Sequence, residues 1–238
     1  MEPIFSLNEI PKEEYILDSE CSGCGIILAV RYTLKIVGKD VLIVFNGEHS
    51  NMLKIVQNIT SVEKLTPLPK TEEKIVAFDE RGDLNELEEF VKHNDYFLLV
   101  SFSEKPLAKI MDAFNLDYIA TASVSYPLDI INKAIKAMKY RRAFIQVLAP
   151  CPIKNGFDPS NTIEVGKAAV SSGYFPLYEI KEKEFALTFR PRILEPVKPY
   201  FEMQKKFKKS DEEIEYIQQT VSRNWKFMNS DKFWMTRL

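Results

Sequence analysis

Short runs of β-branched and aromatic residues recur between amphipathic stretches along this chain, and that alternation constrains its fold more than any other feature. Val41-Leu-Ile-Val-Phe45 is apolar at every position, as a strand covered on both faces must be; a strand with one wet face would alternate with polar residues. Strands are predicted over 41–46, 74–79, 96–102, 117–121 and 143–149, and helices over 25–37, 83–93, 106–114, 127–140 and 160–172. Strands and helices taken in turn imply an α/β class, a mostly parallel sheet covered by helices in three layers. Two helix starts carry their own signals: Asp83 with Glu86 three residues on, and Asp158 followed by Pro159.

The chain changes character after residue 189. Phe185 to Phe189 alternates like an edge strand, and Pro191, Pro196 and Pro199 then break regular structure. Ser210-Asp-Glu-Glu213 reads as a capping box, and Ile214, Ile217 and Val221 mark the apolar side of the helix that it opens. The expected division is therefore an α/β domain over 1–189 and a C-terminal helical arm over 190–238, packed on the core or on a partner subunit.

Charge and hydropathy exclude several classes. A net charge of −2 gives no broad reason to expect nucleic acid. The apolar runs are far shorter than the roughly 20 residues that span a bilayer, and Met1-Glu-Pro lacks the basic start of a signal peptide. A cytoplasmic protein with no membrane partner is expected. Three cysteines are an odd number and do not make a disulfide framework, which leaves metal binding, redox chemistry or plain burial. No Ser-His-Asp set, Walker loop or GxGxxG is present, so hydrolase, NTPase and nicotinamide readings are disfavoured.

The cysteines lie in two contexts, Cys21-Ser-Gly-Cys24-Gly and Leu-Ala-Pro-Cys151-Pro. A CxxC pair at a helix start faces the positive end of the helix dipole, which favours sulfur anions or a bound cluster. Three buried structural thiols are the bland alternative. A thioredoxin-like dithiol is another, although Glu13 to Glu20 does not read as the buried strand such a fold requires.

Taken with Ala120-Thr-Ala-Ser-Val-Ser-Tyr-Pro127, Gly156-Phe-Asp-Pro-Ser160, Pro176-Leu-Tyr-Glu-Ile180 and Pro196-Val-Lys-Pro-Tyr200, these motifs resemble the β subunits of pyruvate:ferredoxin oxidoreductase (pyruvate synthase) and related 2-oxoacid:ferredoxin oxidoreductases. The resemblance implies a thiamine diphosphate-binding-type fold, a hetero-oligomeric complex with further subunits, and ferredoxin as electron partner. It also implies a 4Fe-4S iron–sulfur cluster held by four cysteines, three of which match Cys21, Cys24 and Cys151. The fourth position, after Asn46-Gly47, holds Glu48 with His49 beside it. Either could complete the coordination near the open corner; a three-iron cluster, an open iron site and a cysteine–histidine zinc site are chemical alternatives.

A second departure concerns thiamine diphosphate. The family anchors its diphosphate through a metal held by a Gly-Asp-Gly motif and a later Asn, oxygen ligands suited to a hard cation. Here that region has contracted to Phe78-Asp-Glu-Arg-Gly-Asp83-Leu-Asn85, which reads as a turn followed by a helix cap. This chain alone is therefore not expected to hold thiamine diphosphate with its Mg. Two functions follow from the resemblance: a subunit that takes part in oxidative decarboxylation of 2-oxoacids with electron transfer through the cluster, or a noncatalytic structural or regulatory paralogue. His93 reads as solvated at a helix end, and Lys205-Lys-Phe-Lys-Lys209 as a basic strip, either a wet helix face or a steering patch for an acidic partner.

Overall fold

The computed structural model describes residues 2–10, 21–38, 40–48, 59–61, 64, 65, 68 and 70–229. His49 and the 13–20 stretch lie outside them. Eight strands form one sheet in the order β2-β1-β3-β4-β6-β5-β7-β8, with β1 at Val41–Asn46, β2 at Ile59–Ser61, β3 at Lys74–Asp79, β4 at Phe97–Ser101, β5 at Tyr118–Ser123, β6 at Arg142–Leu148, β7 at Tyr178–Lys181 and β8 at Glu184–Leu187. The six strands from β2 to β5 in this order pair in parallel, and β7 and β8 add an antiparallel edge.

Helices on both faces account for the unbroken apolar strands. Ile43, Phe45, Val76, Phe78, Leu98 and Val100 meet α1 (Gly25–Val37) and α4 (Pro127–Lys139) on one side. Their neighbours Val44, Ile75, Ala77, Phe97 and Leu99 meet α2 (Leu84–His93) and α3 (Leu107–Met111) on the other. The period of two along each strand thus feeds two separate cores. A third apolar group joins α6 (Thr162–Ser171) to α7 (Lys198–Glu202) and α8 (Asp211–Met228) through Val165, Val170, Tyr200, Phe201 and Val221. The arm residues of α7 and α8 therefore pack on this chain's own core.

Where elements differ from expectation, short-range chemistry explains it. The predicted 160–172 helix begins as a 3-10 turn at Pro159–Asn161 because the Asp158 carboxylate accepts the Ser160 amide at 2.9 Å; α6 follows. The predicted 106–114 helix tightens to a 3-10 turn at Asp112–Phe114 and stops at left-handed Asn115. β5 runs on to Ser123 because Ala122 and Ser123 are small enough to be buried there. β7 was not expected; it forms a hairpin with β8 through Glu182 and Lys183, both at positive φ without the Gly or Asn that marks such turns. Both helix caps hold: Asp83 accepts the Asn85 and Glu86 amides, and Ser210 and Glu213 close a capping box.

Two buried lysines stitch α4 to the sheet. Lys133 donates to the Thr121 carbonyl, the Asp129 carboxylate and the Thr188 hydroxyl at 2.7, 2.6 and 2.6 Å. Lys74, at the start of β3, donates to the carbonyls of Ala137, Met138 and Tyr140 at the end of α4, where Ala137 also accepts the Tyr140 amide. Lys74→Met is expected to lower the free energy of unfolding by about 2 kcal/mol, since buried carbonyls lose a charged donor, as read by urea denaturation of the full chain.

Candidate metal centre

The CxxC segment is held by the end of another strand. Cys24 is the N-cap of α1, and Gly25 donates its amide to the Pro150 carbonyl at 3.3 Å, just beyond β6. The approach leaves no room for a side chain: a Cβ on Gly25 would lie 2.6 Å from the Pro150 oxygen, and one on Gly23, at φ +67°, 2.4 Å from the Pro159 oxygen. The Gly23 carbonyl in turn accepts the Thr162 hydroxyl at 2.6 Å. Three elements far apart in sequence thus fix one turn.

Cys151 enters the same neighbourhood from β6. It N-caps α5 (Pro152–Asn155), where its sulfur accepts the Lys154 amide at 3.4 Å. Cys21 and Cys24 are buried, while Cys151 is partly exposed. Burial pushes the Cys21 thiol up from its ordinary range, and the neighbouring Cys24 and Cys151 push it further. Negative charge is unwelcome on Cys21 in this setting, and a bound cation would reverse the sign of that effect by taking it as a thiolate. A cavity of about 370 Å³ opens beside Cys21 and Cys24, lined also by Leu28, Arg31, Ser160 and Ile163.

The donor set and the pinned backbone fit three corners of an iron–sulfur cluster. Among the described residues no group of three His, Cys, Asp or Glu side chains is already drawn tight enough to hold an ion. The backbone is preset, and the thiol rotamers are what a metal would still have to gather. Glu48 is not brought to the cysteines: it is exposed just past β1, and β1 stands three positions from β6, roughly 14 Å at ordinary strand spacing. His49 lies outside the described residues. Thr162 and the Pro150 carbonyl were not foreseen, because a hydroxyl in a first helical turn and a backbone oxygen leave no distinctive sequence signal.

The carboxyl ends of β1, β3 and β4 are closed by packing. Phe45, Phe78 and Phe102 stack on one another with ring centroids 5.9 to 6.4 Å apart. Asp79 beneath them is 1% exposed, and its carboxylate accepts the Ser101 hydroxyl at 2.8 Å and the amides of Gly82 and Arg81 at 3.0 and 3.2 Å. Asp83 is committed to the cap of α2, and the Asn46 amide donates to Glu86 at 2.9 Å. Turn plus cap is what the 79–83 segment forms. These residues do not fit a metal–diphosphate set, since each carboxylate already serves the local backbone.

No family model matches the chain. Among curated proteins it is 42% identical over 127 residues to pyruvate synthase subunit PorB of Methanocaldococcus jannaschii, a stretch covering 52% of this chain and 43% of that protein. It is 29% identical to the PorB of Methanothermobacter marburgensis over an alignment of 280 residues that covers 86% of this chain and 93% of that protein. Because that alignment is longer than the 238-residue chain itself, the relative carries stretches that this chain lacks. Ketoisovalerate oxidoreductase subunit VorB of Pyrococcus abyssi is 35% identical over 126 residues, 51% of this chain and 40% of that protein. The matched stretches thus span less than half of two of these three relatives. Among solved structures, a 2-oxoglutarate:ferredoxin oxidoreductase from Magnetococcus marinus aligns with a TM-score of 0.45 at 15% identity, over 63% of this chain and 71% of that one.

Burial pushes the Asp79 carboxyl up to about 6, against the lowering by its hydrogen bonds from Ser101, Gly82 and Arg81. A carboxyl raised above its unfolded value of about 3.9 binds its proton more tightly in the native state, so its contribution is complete below about pH 4 and is lost as pH rises through 6. Between pH 4 and 7 the difference in unfolding free energy between wild type and Asp79→Asn is expected to shift by about 2 to 3 kcal/mol in favour of the variant. Urea unfolding at the two pH values measures it.

Proposed function

We propose that this chain, a divergent relative of PorB- and VorB-type subunits, is the β-type subunit of a 2-oxoacid:ferredoxin oxidoreductase complex of the pyruvate synthase kind. In this reading it holds an iron–sulfur cluster and leaves thiamine chemistry to another chain. The observation that carries the reading is the meeting of Cys21, Cys24 and Cys151 on two backbone segments clamped by the Gly25–Pro150 contact. When bound, the cluster supplies one-electron storage at low potential. The chain's own part is to seat it. The N-terminus of α1 and the Lys154 amide direct backbone dipoles at thiolate sulfur, and Ile27, Leu28 and Ile163 line the adjoining cavity with apolar surface.

Oxidation of a 2-oxoacid to an acyl-CoA would then occur on partner subunits, with electrons passing through the cysteine site to ferredoxin. The resemblance supports these partners, as do the names of the relatives. A reducing cytoplasm suits three free thiols. The arm from 190 onward would follow the α/β domain as a helical extension packed on it through Tyr200, Phe201 and Val221, with α8 presenting the exposed Tyr216 outward. A second reading, a noncatalytic structural or regulatory subunit, is favoured by the commitment of Asp79 and Asp83 to their own turn and cap.

Anaerobic purification followed by iron, sulfide and thiamine analysis separates these outcomes. About four irons and four sulfides per chain, an electron paramagnetic resonance signal after dithionite, and no thiamine are expected. Serine at any one of Cys21, Cys24 or Cys151 should sharply lower iron content while the far-ultraviolet circular dichroism stays unchanged. Wild-type protein with neither iron nor sulfide would overturn the cluster reading.

A further inference from the structure

The arm returns to the cysteine turn. Past α7, Lys206 donates its amide to the Asn155 carbonyl at 2.9 Å and Lys205 to the Gly156 carbonyl at 3.3 Å, while the Asn155 side chain donates to buried Gln204 at 2.6 Å. The Lys206 ammonium caps the Ile153 carbonyl at 3.0 Å. This fastens part of the basic strip to α5, whose N-cap is Cys151. On the same short helix Ile153 is 66% exposed and Lys154 is exposed beside it.

The charge here is local, and the Glu104 carboxylate beside α5 accepts from the Asn155 side chain at 3.5 Å and the Tyr200 hydroxyl at 3.3 Å. Among the described residues neither Lys154 nor Lys205 nor Lys206 has a carboxylate within ion-pair distance, in contrast to Lys209, which pairs with Glu213 at 3.1 Å. Asp158, the nearest acid in sequence to Lys154, turns its carboxylate onto its own Ser160, and Glu202, the nearest to Lys205 and Lys206, lies 3.8 Å from the Lys198 ammonium. A chain of net charge −2 therefore gathers positive charge around one exposed apolar side chain, two residues from the most accessible of its three thiols.

We infer that Ile153, with Lys154 beside it and Lys205 and Lys206 fastened to the end of the same short helix, is the docking surface for an acidic one-electron carrier protein, with Cys151 as the exit. The inference rests on the cluster reading above and adds the face at which electrons leave. An apolar centre with a charged rim is the usual anatomy of a transient interface; the rim steers encounter, and the centre excludes water from the contact. With a reduced iron–sulfur cluster held at these cysteines, one electron would pass from it to the oxidised carrier, the cluster being oxidised as the carrier is reduced; no proton or group would move with it. A basic carrier would be repelled by the same rim.

The test uses full-length protein purified anaerobically, with iron and sulfide counted first. Binding of an acidic two-cluster bacterial ferredoxin is then measured by calorimetry at several salt concentrations, with basic cytochrome c as the opposite-charge control. The double variant Lys205→Glu/Lys206→Glu is expected to weaken ferredoxin binding by about tenfold or more and to flatten its salt dependence. Ile153→Ser should weaken it with the salt dependence kept. Iron content should match wild type in both, and cytochrome c should bind wild type less well than ferredoxin does. Iron-loaded wild type that binds no ferredoxin, or variants with unchanged affinity and salt slope, would overturn the docking surface alone. Protein devoid of iron and sulfide would instead remove the cluster reading, and the electron exit with it.

Discussion

The tightest constraint in this molecule is the gap between the first turn of α1 and the end of β6. Gly25 comes so close to the Ala149–Pro150 backbone that a methyl group would displace one or the other, and its amide spends its hydrogen bond there. Much else follows from that contact. It sets where α1 begins over the sheet, and so which residues of β1, β3 and β4 it covers. It carries Cys21 and Cys24 to the turn that presents Cys151, and it brings Gly23 within reach of Thr162 at the start of α6.

At the other part of the sheet edge the physics runs the opposite way. In open α/β sheets the carboxyl ends of the strands are where ligands settle, yet here three stacked phenylalanines and a buried carboxylate satisfied by its own turn fill that edge over β1, β3 and β4. Packing and local hydrogen bonding have taken the room and the oxygen donors that a phosphate-bearing cofactor with a hard cation would need. The cysteine turn and this filled edge both arise from residues placed just past strand ends.

Much of this was legible in the sequence because its signals are local. Doubly buried strands announce themselves as unbroken apolar runs, and the caps at Asp83 and Ser210 need only neighbours within three residues. The three cysteines could be grouped because motif order links them. What escaped depended on distance or on unmarked turns. Nothing in Tyr178–Lys181 signals a strand until the chain reverses through Glu182 and Lys183, which carry no turn signature. The separation of Glu48 from the thiols follows from strand order, with β3 and β4 lying between β1 and β6, and no pattern along the chain encodes that. Nor does anything in the basic strip reveal that its backbone would be fastened to α5.

The clamp on the cysteine turn also has a consequence in time. The Thr162 hydroxyl and the Gly23 carbonyl that it holds are 139 residues apart, and loops of that length close late and at an entropic cost. During synthesis the first two thiols leave the ribosome long before the third exists, and before the strand end that fixes their turn has been made. For that interval Cys21 and Cys24 form only an open dithiol. The three thiols therefore come together only in the finished chain, and chemistry that reaches them earlier meets an exposed pair instead of a completed trio.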